Sequence, residues 1–266
     1  MNRKVFIMKK SELKKIKLFV LDMDGTIYLG EKILPGAIEF VKTARESGRK
    51  VAFFTNNASK NPMNYVDKLN RMGFGATRSD IVTAGDVTIE YLKRNHPNEA
   101  VYLVGTPALK QSFIESGITL SENANIVVSS FDTTLTYEKL VIACDLIRNG
   151  AKFYCTHPDF NCPTENGFIP DSGAIAALIT ASTNVEPKYF GKPFKETADM
   201  ISELYGVPFE ETAIVGDRLY TDIALGKNNG LMSVLVLSGE TKIEDVNESN
   251  APDIILDGIG EIVNYF

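Results

Sequence analysis

Short apolar, β-prone runs alternate with helix-like stretches along most of the chain. Runs of this kind, bounded by turn residues, predict buried strands, and the regular alternation predicts an α/β fold with a mostly parallel sheet. Glycines mark several of the predicted helix ends, as Gly48 and Gly73 do. The predicted strands cover 16–21, 51–55, 100–104, 126–128, 152–155, 213–215 and 233–237, and the predicted helices cover 37–47, 62–72, 107–116, 137–148, 173–182, 195–205 and 221–227.

Two segments interrupt this alternation. Residues 27–35, with Gly30 in the middle, predict a small hairpin or flap, and residues 156–170 predict a polar loop that contains prolines. The alternation restarts as its own series from about residue 83 to residue 185. We therefore predict a Rossmann-like core formed by 1–82 and 186–266, with 83–185 inserted as a second α/β domain.

Two apolar strands end in aspartates. Asp22 and Asp24 follow the first strand, and Asp217 and Asp222 follow the strand at 213–215. The carboxyl ends of parallel strands meet at one edge of a sheet, where such folds bind their ligands. Several carboxylates at one place favour a bound cation, which would offset their repulsion.

These acids suit phosphoryl transfer, a reaction that depends on charge neutralisation and in-line positioning. Asp22 is the candidate nucleophile, because a carboxylate can form an acyl phosphate. Asp24 is the candidate general acid, which protonates the leaving oxygen and later activates water. Asp217 and Asp22 offer the hard oxygen ligands that suit Mg²⁺.

Three further polar residues are candidates for holding the phosphoryl group. Lys192, in a Gly-Lys-Pro tripeptide, offers a compact positive charge, while Thr55 and Asn56 at the end of another strand offer hydroxyl and N–H donors. Each short motif also has an ordinary structural interpretation as a turn, loop or helix cap. The Asp-x-Asp-Gly string resembles part of a calcium loop, but an EF-hand needs a preceding helix, and here a strand precedes it.

Taken together and in this order, the motifs resemble those of the haloacid dehalogenase (HAD) superfamily of hydrolases. The strings Leu-Asp-Met-Asp-Gly-Thr-Ile-Tyr, Phe-Phe-Thr-Asn-Asn, Gly-Lys-Pro and Gly-Asp-Arg-Leu-Tyr-Thr-Asp are similar to those of its NagD-type, or para-nitrophenyl phosphatase-like, branch. The resemblance covers nearly the whole chain from about residue 16. It implies a HAD-like core, and the insertion at 83–185 resembles a class II cap that selects the substrate.

The resemblance also implies roles for individual residues. Mg²⁺ would be held by the Asp22 carboxylate, the Asp24 backbone carbonyl and Asp217, while Asp222 would support the loop on the metal side. The remaining implied roles are those of nucleophile for Asp22, acid/base for Asp24 and phosphoryl binding for Thr55, Asn56 and Lys192. The implied activity is hydrolysis of a small-molecule phosphomonoester through an aspartyl phosphate.

Two other functions remain as alternatives. A phosphotransferase or phosphomutase of the same fold would keep water from the acyl phosphate, and no feature of the sequence indicates this. A non-catalytic nucleotide-binding module on a doubly wound fold would carry a glycine-rich turn after the first strand. Asp24-Gly25-Thr26 is not such a turn.

The inserted domain departs from the branch pattern at two places. The usual Thr-Asn-Pro-Asp string is Thr-His-Pro-Asp at 156–159, and the usual Pro-Gly-x-Gly turn is Pro-Asp-Ser-Gly at 170–173. Asp159 and Asn161 are candidates for contacting the leaving group, with loop organisation as the alternative. We expect His157 to be a polar loop residue, with a catalytic role as the less favoured alternative. We expect Cys155 and Cys162 to pack in the core, with contact to substrate as the alternative for Cys162.

The composition of the chain limits the kinds of binding partner and the location that we expect. The 266 residues carry a net charge of −6, which gives no support to nucleic-acid or anionic-membrane binding. Three cysteines without metal spacing fit a reducing compartment, and 1–15 has no apolar core of signal-peptide length. No stretch has the length of a membrane span. We therefore expect a cytoplasmic protein that binds a small phosphate ester, with an apolar face on the insertion as a candidate homodimer contact.

Overall fold

A computed structural model describes residues 10–164 and 167–266 of the chain. The strands are β1 (Leu18–Leu21), β2 (Tyr28–Leu29), β3 (Lys32–Ile33), β4 (Lys50–Thr55), β5 (Ile81–Thr83), β6 (Val101–Val104), β7 (Ile126–Ser129), β8 (Lys152–Cys155), β9 (Asn161–Thr164), β10 (Gly167–Pro170), β11 (Lys188–Tyr189), β12 (Thr212–Gly216), β13 (Met232–Val236) and β14 (Ile254–Leu256). The helices are α1 (Ala37–Glu46), α2 (Pro62–Arg71), α3 (Ala84–Asn95), α4 (Pro107–Glu115), α5 (Tyr137–Arg148), α6 (Ser172–Thr183), α7 (Lys195–Tyr205) and α8 (Ala224–Asn229).

The larger sheet has six strands in the order β14-β13-β12-β1-β4-β5. The pairs from β14 through β4 are parallel, so the predicted α/β class and parallel sheet are confirmed. All four residues of β1 are buried, because β1 lies in the middle of the sheet and is covered on both faces. This burial explains the uninterrupted apolar run that precedes Asp22.

The smaller sheet has four strands in the order β11-β8-β7-β6, all parallel. Helices α5 and α6 pack on it around a buried apolar core that includes Val127, Ala143, Phe153 and Ile179. The insertion therefore has a sheet and a core of its own.

The chain divides into two compact units. Within the described residues, the first unit consists of the chain up to Phe54, Val66–Val82 and Lys192–Phe266, and the second consists of Thr55–Tyr65 and Thr83–Gly191. The second unit extends beyond residue 185 because β11 pairs with β8. It also takes in the segment after β4, where the Thr106 hydroxyl donates to the Ser59 carbonyl at 2.8 Å.

Most predicted elements are present within one or two residues of their predicted ends, and the hairpin expected within 27–35 is formed by β2 and β3. The prediction of a loop over 156–170 was wrong in part, because β9 and β10 form an antiparallel hairpin there. Nearly all of its described residues are exposed, and Pro163 interrupts the strand pattern. The sequence therefore carries no buried apolar run that would indicate these strands.

The helix predicted at 221–227 also differs. It begins as a π-helical turn, Leu219–Ile223, in which the Ile223 N–H donates to the Arg218 carbonyl at 3.1 Å, and α8 follows. Among the described residues, no helix has the length and apolar character needed to cross a membrane. Of the N-terminal segment 1–15, which was predicted to have no apolar core of signal-peptide length, residues 1–9 lie outside the described residues.

Candidate active site

The carboxyl end of β1 carries the first pair of candidate residues. The Asp22 N–H donates to the Val215 carbonyl at 2.9 Å, so Asp22 continues the pairing of β1 with β12. Gly25, at a φ of +86°, then turns the chain, and its N–H donates to the Tyr28 carbonyl at 2.7 Å. A positive φ suits glycine, which explains why the turn after Asp24 contains one.

Lys192 connects two acidic residues at this edge of the sheet. Its ammonium group lies 2.5 Å from Asp22 Oδ1 and 2.6 Å from Asp222 Oδ1, and the side chain is buried. Burial alone would lower the pKa of Lys192, but the charges of Asp22 and Asp222 raise it above its usual range. Lys192 therefore stays positively charged beside the candidate nucleophile.

Asp217 lies at the end of β12 with one oxygen bonded and one free of hydrogen bonds. Its Oδ2 accepts from the Glu240 N–H at 2.6 Å, whereas its buried Oδ1 has no hydrogen-bond partner. Burial, with the nearby charge of Asp222, raises the pKa of Asp217 to about 6. Any side chain at Gly25 or Gly239 would overlap this carboxylate, so both positions leave room for it.

The π-helical turn brings Asp222 back toward the strand ends. The Arg218 N–H donates to Asp222 Oδ2 at 3.1 Å, and a Cβ at Gly216 would overlap the Asp222 carboxyl group. Insertions of this kind in helices often occur at functional sites, because they re-aim one side chain. Here the turn aims Asp222 at Lys192.

The three carboxylates could hold a metal ion. Asp22, Asp217 and Asp222 each offer an oxygen, and these oxygens lie within 4.8 Å of one another. The pKa of Asp22 is raised to about 8, chiefly by burial, with Lys192 opposing the rise and the charges of Asp222 and Asp217 adding to it. A divalent cation would reverse this effect, and the unbonded Asp217 Oδ1 offers it a ligand. The residues therefore fit a hard cation bound by oxygen.

Asp24 lies in a different environment from Asp22. Although Asp24 is exposed, the protein atoms around its carboxyl group desolvate it and raise its pKa, while the charges of Lys68 and Arg218 lower it. Lys68 sits 3.7 Å from the centre of the Tyr28 ring. A carboxyl group with a raised pKa suits a general acid, because it holds its proton near neutral pH more readily.

Thr55 and Asn56 end β4, the strand next to β1. The Thr55 hydroxyl accepts from the Asn57 N–H at 3.1 Å, and the buried Asn56 amide donates from Nδ2 to Asp159 Oδ2 at 3.2 Å. The contacts of both residues place them with the second unit.

Comparison with known proteins identifies the chain. Residues 19–119 match the family model described as haloacid dehalogenase-like hydrolase, and residues 189–262 match a second model described as HAD-hydrolase-like. A 5'-nucleotidase, YutF of Bacillus subtilis, is 35% identical over 255 residues, which cover 95% of this chain and all of that protein. The chain belongs to the haloacid dehalogenase-like hydrolases. This confirms the predicted family and excludes the non-catalytic alternative.

Two further relatives narrow the branch. The acid sugar phosphatase of Staphylococcus aureus strain MRSA252 is 36% identical over 242 residues, which cover 90% of this chain and 93% of that protein. The solved structure of 4-nitrophenylphosphatase from Thermotoga maritima matches with a TM-score of 0.92 and 46% identity over 95% of this chain and 98% of that one. The predicted branch, which contains NagD and para-nitrophenyl phosphatases, is confirmed.

In this HAD-like hydrolase the structure groups Asp22, Lys192, Asp217 and Asp222 as a single cluster. The sequence predicted the first three as reacting, phosphoryl-binding and metal-binding residues, and the structure adds a direct contact from Lys192 to Asp222. The roles themselves remain predictions.

Sequence reasoning missed Lys68 and Arg218, the two cations that act on Asp24. Arg218 directly follows Asp217, so its place beside the acidic residues could have been inferred from the motif. Lys68 lies on α2, and nothing in the sequence connects it with Asp24.

The candidate residues of the second unit separate into buried and exposed groups. Asp159 and His157 are buried, whereas Asn161 is exposed on β9. Cys155 is buried, and burial raises the pKa of its thiol, so it is a packing residue as expected. Cys162 is half-buried on β9 rather than part of a core.

Proposed function

We propose that this HAD-like hydrolase is a Mg²⁺-dependent phosphatase that cleaves small phosphomonoesters through a phosphoryl group carried on Asp22. The observation that supports it best is the charge arrangement around Asp22, where a buried lysine and two further carboxylates meet the candidate nucleophile. The phosphatase class rests on the three relatives described above, each of which is named for the removal of phosphate or for a nucleotidase activity.

In the proposed reaction an Asp22 oxygen attacks phosphorus, and the bond from phosphorus to the leaving oxygen breaks. Asp24 donates its proton to that oxygen, so the alcohol leaves uncharged. In the second step Asp24 takes a proton from water, the water oxygen attacks phosphorus, and the bond to Asp22 breaks. The products are an alcohol, inorganic phosphate and the restored carboxylate.

The surrounding residues would offset the negative charge of the phosphoryl group and of Asp22. Mg²⁺, held by Asp22, the Asp24 carbonyl and Asp217, would supply positive charge for the phosphoryl oxygens. Lys192 supplies a second positive charge, and its ammonium group, 2.5 Å from Asp22, opposes the rise in the pKa of that carboxyl group, as the bound cation would. We propose that Thr55 and Asn56 donate hydrogen bonds to the phosphoryl oxygens, and that Asp222 supports the loop beside the metal.

We assign substrate selection to the second unit as a cap, in which Asp159 and Asn161 would meet the leaving group. The names of the relatives point to different substrates, a nucleotide, a sugar phosphate and a nitrophenyl phosphate. They share a phosphate ester of a small molecule, which is the substrate class we propose here. We also propose a cytoplasmic location, and a homodimer in which copies meet through this unit.

Phosphate release from a panel of small phosphomonoesters, with and without Mg²⁺, tests the proposal. Asp22→Asn should reduce turnover at least about a thousandfold, because the nucleophile is lost. Asp199→Asn is the matched control, since Asp199 lies on α7 and its carboxylate accepts from the exposed Lys195. Substantial activity in Asp22→Asn, or Mg²⁺-independent release, would contradict the proposal. A phosphoryl group found on an acceptor other than water would instead indicate the transferase alternative.

A further inference from the structure

The second unit contains a buried polar cluster of which only Asp159 has a role in the proposed reaction, as a candidate contact of the leaving group. His157, Asp159 and Asp171 each offer a ligand atom, and these atoms lie within 4.8 Å of one another. Two of the three residues stand in the loop after β8, and Asp171 directly precedes α6. His157 is 0% exposed, Asp171 4% and Asp159 8%, so the cluster is shielded from solvent.

The two departures from the branch pattern meet in this cluster. His157 Nε2 lies 2.8 Å from Asp171 Oδ1, and His157 Nδ1 lies 3.0 Å from the Thr156 hydroxyl. Asp171 Oδ1 also accepts from the Ser172 N–H at 2.6 Å, which caps α6. The histidine at 157 and the aspartate at 171 therefore belong to one local arrangement.

Asp159 is the residue whose contacts are incomplete. Its Oδ2 accepts from Asn56 Nδ2 at 3.2 Å, but its Oδ1 is buried without a hydrogen-bond partner. A buried carboxylate oxygen without a donor is costly, because it has lost its water and gained nothing in return. Such an oxygen indicates that a further group completes the site.

The charge of the cluster points to a cation as that group. Asp159 and Asp171 contribute two carboxylates, and among the described residues neither forms an ion pair with a lysine or an arginine. Within 10–164 and 167–266, the basic group in contact with these carboxylates is the imidazole of His157. A neutral imidazole leaves both negative charges uncompensated in a buried place.

We propose that His157, Asp159 and Asp171 bind a divalent transition-metal ion, with Zn²⁺ as the type ion. One imidazole nitrogen with two carboxylate oxygens is a donor set that zinc accepts, whereas Mg²⁺ prefers oxygen alone. Binding would replace the hydrogen bond between His157 and Asp171 and release any proton held there. The ion would tie the loop after β8 to the start of α6, within the second unit. It would take no part in the chemistry at Asp22, and it would fix the position of Asp159, the residue assigned above to the leaving group.

Metal counting on the full chain tests this proposal. The variant Asp22→Asn, Asp217→Asn removes two carboxylates of the other candidate metal cluster, so zinc bound there no longer contributes. After stripping with a chelator, loading with ZnCl₂ and dialysis, this variant should retain one zinc per chain. Adding His157→Asn should lower the retained zinc to near zero.

His96→Asn is the matched control, because the chain has two histidines and His96 is the one outside the cluster. Its ring nitrogens contact Glu99 at 2.7 Å and Tyr154 at 2.8 Å, in a different part of the unit. It should leave the zinc count unchanged. Asp159→Asn, which keeps the size of the side chain, should also lose the zinc, and it covers the case in which His157→Asn does not fold.

Cobalt provides a second measurement that does not depend on activity. Co²⁺ bound by a nitrogen and two oxygens gives visible absorption bands, and these should be present in the Asp22→Asn, Asp217→Asn variant and absent once His157 is replaced. Two results would overturn the proposal. One is no zinc retained by the Asp22→Asn, Asp217→Asn variant, which would make a protonated His157 the counter-charge. The other is zinc retention that His157→Asn and Asp159→Asn leave unchanged.

Discussion

At the scale of single residues, the two acids after β1 differ in ways that suit different tasks. Desolvation raises the pKa of both carboxyl groups, but Asp22 lies 2.5 Å from the Lys192 ammonium group and beside two carboxylates that could share a cation with it, whereas Asp24 is exposed. The ammonium group and a bound cation both favour the charged form of Asp22. A nucleophile must be deprotonated and a general acid must carry a proton. The environment of each residue thus agrees with the role proposed for it.

Asp24→Asn tests that division of roles. Without a proton donor, esters of alkyl alcohols should lose about 10²- to 10⁴-fold in the rate of the first step. Nitrophenyl phosphate should lose much less in that step, since nitrophenolate leaves without a proton. Rapid-mixing measurement of alcohol release separates the first step from the second. Equal losses for both esters would contradict the role of Asp24 as the acid.

Gly25 links the turn after β1 to the metal-binding residues. A Cβ at Gly25 would overlap the Asp217 carboxylate, whereas a Cβ at Gly30 would meet nothing within 4 Å. Both glycines have positive φ, so alanine at either position costs about 1 kcal/mol of stability. We expect only Gly25→Ala to weaken Mg²⁺ binding as well.

A Mg²⁺ titration of activity, with chemical unfolding in parallel, compares the two alanine variants. Gly30→Ala controls for the backbone cost because its surroundings are open. If the two variants needed the same Mg²⁺ concentration for half-maximal activity, Asp217 would not be a ligand.

At the scale of elements, the buried strands were the easiest part to predict. The run before Asp22 is apolar because β1 is covered on both faces, and the same holds for β7. The exposed hairpin of β9 and β10 was missed, because an element that buries little apolar surface leaves no periodic pattern. The local pattern of apolar and polar residues therefore predicts buried elements well and exposed elements poorly.

The residues of the candidate site could likewise be predicted only where they adjoin buried strands. Residues at strand ends, such as Asp22 and Asp217, could be placed because parallel strands share an edge. The contact of Lys192 with Asp222 could not, since it depends on a π-helical turn that no residue pattern predicts. The contact between His157 and Asp171 could not be predicted either, because it joins two loops of the second unit that are separate in sequence.

At the scale of the whole molecule, metal binding and stability are linked. An ion that binds the folded chain and not the unfolded chain stabilises it by about 2.7 kcal/mol when its free concentration is about 100 times its dissociation constant. We expect Mg²⁺ to raise the thermal unfolding midpoint of the wild type, and Asp217→Asn to abolish the rise. Asp199→Asn should keep it.

The pH dependence of this effect has a definite sign. Because the pKa of Asp217 is raised to about 6, most molecules hold a proton there at pH 5 and few do at pH 8. Mg²⁺ must displace that proton, so its stabilising effect should be larger at pH 8 than at pH 5. Calorimetry at both values checks this, and an effect that is equal or larger at pH 5 would count against Asp217 as a ligand.

The central claim is that Asp22 carries the phosphoryl group during turnover, and the most direct test is to find it there. The enzyme is mixed with substrate and Mg²⁺, quenched in acid within milliseconds, and reduced with borohydride, which converts an aspartyl phosphate to homoserine. Peptide mass spectrometry should then locate the reduced residue at position 22 in the wild type and nowhere in Asp22→Asn. Reduction at another aspartate, or none during active turnover, would contradict the account.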